Sequence, residues 1–150
     1  PSPHLSSSDT GPDAMNITLL IGAILGLISV SFGAYAEHGL RPTISDETFR
    51  YVMTAIRFNQ VYALMVTGIG LSLFANLPVM AARHLPRVGA VYALGTALFS
   101  FSIYASAQLG IPSLTYLTPV GGITLMIGWA YLIVVAIIGR RDTAGLPPPA

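Results

Sequence analysis

The stretch ITLLIGAILGLISVSFGAYA, residues 17–36, runs without one side chain of fixed charge. As a helix rising ~1.5 Å per residue it matches the ~30 Å hydrocarbon core of a bilayer. Three further apolar stretches follow at roughly 58–75, 87–108 and 119–138, and Arg87 is the one fixed charge in any of the four. Their combined surface is too apolar for water, so lipid sets the fold. The expectation is an all-α, integral membrane bundle of four transmembrane helices over residues 16–139. A polar N-terminal tail (1–15) and a Pro-rich C-terminal tail (140–150) flank it.

Composition agrees and narrows the function. Charged residues make up 9% of the 150-residue chain and apolar residues 53%, where a soluble domain carries about 25% charge. Net charge is +1, and all seven basic residues are arginines scattered over several segments. That leaves no basic stripe for nucleic acid. The absence of cysteine removes disulfides, thiolate metal sites and cysteine nucleophiles. Residues 1–14 lack the basic start of a secretory signal and are read as a retained tail.

Along the chain, Gly22, Gly26, Ser29 and Gly33 recur at helical spacing in helix 1, read as running from Ile17 to Glu37. They form the small-residue face that lets helix backbones approach in lipid. The linker turns at Gly39 and Pro42. Ser45 then caps helix 2, whose first residues Asp46 and Glu47 suit a positive helix N-terminus. Helix 2, read as Asp46 to Ala75, exceeds the hydrocarbon core, so its amphipathic start is placed in the interface. There Phe49, Val52, Met53 and Ile56 mark an apolar side, and Arg50, Thr54 and Arg57 a polar one. Helix 3 carries Gly89, Ala93, Ala97, Ser100 and Tyr104 on one face. Helix 4 opens near Pro119 and repeats the small stripe at Gly121, Gly122, Thr124 and Gly128. The 2–3 loop holds Arg83 and Arg87, and the C-tail Arg140 and Arg141. Four arginines on the side of the termini against Arg41, Arg50 and Arg57 opposite favours cytoplasmic termini.

This topology gathers Glu37, His38, Arg57, Asn59, Tyr62, Ser100, Ser102, Tyr104 and Thr118 towards one membrane face. Polar groups at membrane depth are costly unless paired, so the cluster is the candidate site. Equally, hydroxyls and amides between helices serve as packing glue worth ~1 kcal/mol or less each. His38 is the best placed for protonation chemistry. No metal is expected, because only Glu37 and His38 adjoin and helical neighbours point about 100° apart. No catalytic motif or nucleophile–base pair is present, so no enzyme and no cofactor are expected. Trp129, deep in helix 4, is read as packing or lipid contact.

The strings GAYAEHGL (33–40), TAIRFNQVYAL (54–64), LGTALFSFSIY (94–104) and TPVGGITLMIGWA (118–130) together resemble a small membrane-protein family of unknown function that includes bacterial YgdD and a mitochondrial transmembrane relative. The likeness covers about residues 17–138. His38 matches the histidine of the family's first motif, Ser100, Ser102 and Tyr104 its third, and Thr118, Pro119, Gly121, Gly122 and Trp129 its fourth. Asn59 stands where the family has Gln, Tyr62 where it has His, Phe101 where it has Gly, and Glu37 where it has a small residue. Losing one of two histidines argues against a histidine pair as metal or proton-relay site. The resemblance implies a multi-pass protein of the bacterial inner membrane and supplies no activity.

Three functions fit these features. The first is a non-catalytic accessory or assembly subunit docking on larger membrane-complex subunits, an energy-transducing complex being one host. It rests on the missing catalytic residues, the small-residue faces and the tails without a core of their own. The second is a small channel or transporter for protons or a small solute. The third is binding of a lipid or quinone headgroup by His38, Tyr62 and Tyr104.

Overall fold

The computed structural model describes the backbone of residues 15–144 and side chains through residue 139. The expectations for residues 1–14 and 145–150 lie outside it. The described chain is all helical: α1 (Ile17–Tyr35), α2 (Asp46–Ser72), α3 (Val79–Thr96), α4 (Ser102–Leu109) and α5 (Leu117–Ala144). A π-helical turn at Ala36–Leu40 extends α1, and a second at Ala97–Phe101 joins α3 to α4 in one rod. A 3-10 turn, Pro112–Tyr116, leads into α5. Four antiparallel rods result.

Three of the rods are long and apolar enough to cross a membrane: Ile17–Thr43, Val79–Leu109 and Pro112–Gly139, at 27, 31 and 28 residues. The α2 rod also has 27 residues, but Asp46, Glu47, Arg50 and Arg57 dilute its first half. Leu27, Leu64 and Phe74 are 69%, 74% and 72% exposed, a surface that only lipid or protein covers stably.

Local chemistry explains most of the boundaries. The Asn16 side chain accepts from Leu19 N–H at 3.0 Å and starts α1, while its amide donates to Gly70 O at 2.7 Å, tying α1 to the end of α2. Ser45 caps α2 as its sequence context predicts, accepting from Thr48 N–H at 3.1 Å. Gly110 ends α4 at φ 65°, a left-handed cap that suits glycine.

Three boundaries differ from the sequence reading. Helix α1 gives way to the π turn after Tyr35, so Glu37 and His38 lie on a widened, exposed turn. Helix α2 stops at Ser72, before Ala75. Arg83 and Arg87 belong to helix rather than loop, because α3 begins at Val79 directly after Pro78 and continues through Pro86. Pro86 costs that helix one backbone donor without breaking it.

Close approach at small residues builds two tight pairs, α1 with α2 and α3 with α5. A Cβ on Gly22 would lie 2.5 Å from Thr67 N and 2.8 Å from Thr67 Cα, and one on Gly70 would lie 2.5 Å from Leu19 Cα. In the second pair, a Cβ on Gly121 would run into the backbone of Phe99, one on Gly128 would lie 2.6 Å from the Tyr92 ring, and one on Gly95 2.6 Å from Leu125. Gly26, Gly33 and Gly122 are different, since a Cβ there meets only ordinary contacts at 3.8–4.0 Å. Gly22, Gly121 and Gly128 thus have no room for a side chain as the rods stand, and the other three do. Gly70 and Gly95 join them without having been singled out.

Substituting Gly22→Ala or Gly121→Ala is expected to cost about 1–3 kcal/mol through forced helix separation. Gly33→Ala should stay within about 0.5 kcal/mol of the parent. Unfolding in detergent, followed by circular dichroism, measures the contrast.

Candidate functional site

The nine residues expected to cluster divide into an inner and an outer group. Asn59, Tyr62, Ser100, Ser102 and Tyr104 are buried, with Thr118 half-buried beside them. Glu37, His38 and Arg57 are exposed and make no hydrogen bond to the inner group. Glu37 pairs instead with Arg41, one helical turn on, at 3.0 Å. Arg41 in turn lies over the Phe49 ring at 4.9 Å.

The inner group is arranged in three hydrogen-bonded layers between different rods. In the first, Ser102 Oγ donates to Phe99 O at 2.9 Å, within the π turn, and lies 2.9 Å from Thr118 Oγ1. A hydroxyl has one proton; that of Ser102 goes to Phe99, so Thr118 is the donor to Ser102. In the second, Ser100 Oγ donates to Ala55 O of α2 at 2.8 Å, and Asn59 Nδ2 donates to Tyr104 Oη at 3.3 Å. In the third, Trp129 Nε1 donates to Tyr62 Oη at 2.8 Å. Trp129 is therefore a hydrogen-bonding link between α5 and α2 rather than inert packing.

An aromatic set surrounds these layers. Phe32 stacks on Tyr104 with centroids 3.9 Å apart, and Phe58 on Phe99 at 4.4 Å. Tyr92, fully buried on α3, meets Tyr62 at 5.1 Å and Trp129 at 5.5 Å. Gly128 makes room for its ring.

Two buried atoms in this interior lack a protein partner, Asn59 Oδ1 and Tyr92 Oη. Turning the Asn59 amide over would let Tyr104 donate to Oδ1 and would strand Nδ2 instead, so one amide group stays unpaired either way. Each such group costs about 1–3 kcal/mol.

The site offers little reactive chemistry. Its serine and threonine hydroxyls bond carbonyls or one another, the Tyr104 and Tyr62 oxygens accept from the Asn59 amide and the Trp129 indole, and none of these bonds involves a histidine or carboxylate. Among the described residues a hydroxyl meets a histidine at His84 Nδ1 and Tyr131 Oη, 2.8 Å apart, near the opposite end of the bundle. No group of three or more His, Asp or Glu among the described residues could hold a metal. A pocket of about 380 Å³ opens at the α2 start, lined by Ser45, Thr48, Tyr51, Ser106 and Thr115 among others. None of the inner residues lines it.

Sequence reasoning missed Tyr92, His84–Tyr131 and the bond from Tyr35 Oη to Gln108 Oε1 at 2.8 Å. The spacing of Tyr92 with Gly95 and Thr96 on a helix face was the available signal for the first. The other two join residues far apart in the chain and left none.

Two outcomes test this geometry. In a double-mutant cycle, Asn59→Leu and Tyr104→Phe should couple by about 0.5–1 kcal/mol, read from unfolding in detergent. Tyr62→Phe should shift the emission of Trp129, the sole tryptophan, to shorter wavelength by removing the acceptor of its indole N–H.

Residues 32–122 match the family model described as "Protein of unknown function (DUF423)". The chain is 29% identical over 123 residues to the inner membrane protein YgdD of Escherichia coli, covering 82% of this chain and 91% of that one. It is 28% identical to the membrane protein YwdK of Bacillus subtilis, covering 82% and 98%. It is also 29% identical to a Staphylococcus haemolyticus membrane protein, covering 80% and 94%. No solved structure matches. With most of its helical core inside the matched region, the chain belongs to the DUF423 family.

Proposed function

We propose that the protein is a non-catalytic, multi-pass inner-membrane module that docks on larger membrane-complex subunits as an accessory or assembly component. The observation that carries this reading is the commitment of the inner polar residues to bonds between rods: Ser100 to α2, Thr118 to Ser102, Trp129 to Tyr62. Groups so engaged hold helices in place. A path for protons or a solute is disfavoured by the core beneath them, where Val66, Val88, Tyr92 and Leu125 pack with at most 1% exposure. Headgroup binding by His38, Tyr62 and Tyr104 is disfavoured because His38 is exposed while both tyrosines are buried and already bonded.

In this reading α2 is the fourth span, its first turns lying in the interface and its apolar half, from Phe58 to Ser72, beside α1. Four crossings put both termini and the α2–α3 loop on one side. The arginine balance makes that side cytoplasmic, and the relative named an inner membrane protein supports the bacterial inner membrane as the location. The charged loop-end rim of Glu37, Arg41, Asp46, Glu47 and Arg50, exposed throughout, then faces outward and is available to a partner.

Two measurements test this. Native mass spectrometry after gentle extraction should find the chain with larger subunits in fixed stoichiometry; a lone chain or a homo-oligomer without them would count against the accessory role. Single cysteines at Thr43 and Ser113 should react with an impermeant maleimide from the periplasmic side and one at Asn76 should not, a pattern that a three-span arrangement in which α2 does not cross would break.

A further inference from the structure

Gln60 presents a problem that the internal packing leaves unsolved. It is exposed on α2, and no side-chain hydrogen bond among the described residues includes it, although its neighbours Asn59 and Tyr62 are both engaged. Its depth is fixed by α1. Gly26 faces Ala63 and Gly33 faces Ile56, which puts Gln60 level with Ser29 and Val30. From there the uncharged run of α1 extends about 10 Å towards Ala36 and more towards Ile17. Gln60 therefore stands inside the apolar layer, in a groove it shares with Gly22, Gly26, Ser29, Val30, Leu64 and Thr67; the Ser29 hydroxyl gives its proton to Gly26 O at 2.7 Å, and neither it nor Thr67 bonds the Gln60 amide.

An unpaired carboxamide in hydrocarbon costs several kcal/mol. An acyl chain in the groove would cover the small residues and leave the amide unpaired, since it has neither donor nor acceptor. The occupant must bring both to the same depth. A second Gln60 does so, because a carboxamide is its own complement, N–H to C=O and C=O to N–H. Two copies of one orientation, related by a two-fold axis along the membrane normal, place Gln60 opposite Gln60 at equal depth. Gly26 and Ala23 permit close approach, and the exposed Val30 and Leu64 (69% and 74%) flank the pair. Arg57, one turn nearer the loop end, is long enough to carry its charge to the headgroup level, away from its counterpart.

We propose that the α1–α2 groove is a homodimer interface centred on a reciprocal Gln60 amide pair. This goes beyond the accessory role and stands or falls separately from it, since the interface joins two copies of this chain whatever larger subunits attend them.

The chain has no native cysteine, so single-cysteine variants report contacts cleanly. Oxidation in native membranes should link Gln60→Cys into a disulfide dimer, whose short reach requires the two positions to meet. Leu94→Cys, exposed on α3, should stay monomeric. In nanodiscs Gln60→Leu, a change lipid tolerates, should weaken dimerisation about tenfold with thermal unfolding no lower than that of the parent. The proposal is overturned if Gln60→Cys remains monomeric or links to a different protein, if Leu94→Cys cross-links equally well, or if Gln60→Leu dimerises like the parent.

Discussion

Backbone meeting backbone at Gly121 and Phe99, and again at Gly22 and Thr67, is the constraint on which the other contacts depend. In lipid there is little gain in hiding one apolar side chain against another, so association must come from dispersion at short range and from hydrogen bonds. Both require the rods to be near. With α5 drawn onto the π turn at Gly121, Thr118 reaches Ser102. With room for the Tyr92 ring at Gly128, the neighbouring Trp129 settles within 2.8 Å of the Tyr62 oxygen. A methyl group at either seam would lengthen several of these bonds together.

The polar interior then resembles mortar more than machinery. Serine and threonine bond carbonyls or one another, the indole bonds a phenol, and Glu37, His38 and Arg57 lie exposed outside, Glu37 paired with Arg41. The cost is visible in two groups, Asn59 Oδ1 and Tyr92 Oη, that remain buried without a protein partner. Neither is hydrogen-bonded to a histidine or a carboxylate among the described residues. The π turn at Ala97–Phe101 fits the same account: its widened backbone is stitched by Ser102 and packed by Gly121.

Much of this was legible in the residues. Uncharged runs gave the rods, small-residue spacing gave the seam at Gly22, and Ser45 before Asp46 and Glu47 gave the start of α2. What escaped were features set by tertiary contact. The π turn at Ala36–Leu40 has no local signature, and it is this turn that leaves Glu37 and His38 facing outward. Arginines in an otherwise apolar segment suggested a loop at Arg83 and Arg87, yet exposed arginines are tolerated on a helix near a membrane end. Gly33 and Gly121 look alike in sequence, and only the rod opposite determines which of them has no room for a methyl group.

The central claim is that the inner polar residues serve packing alone. Its most direct test replaces Asn59, Tyr62, Ser100 and Tyr104 together by Leu, Phe, Ala and Phe, and measures how much of the folded variant is recovered with the larger chains proposed to carry the parent protein. Recovery in proportion to the folded fraction is the result this account predicts. A variant that folds fully and yet is no longer recovered with those chains would show that the replaced groups touch something besides each other.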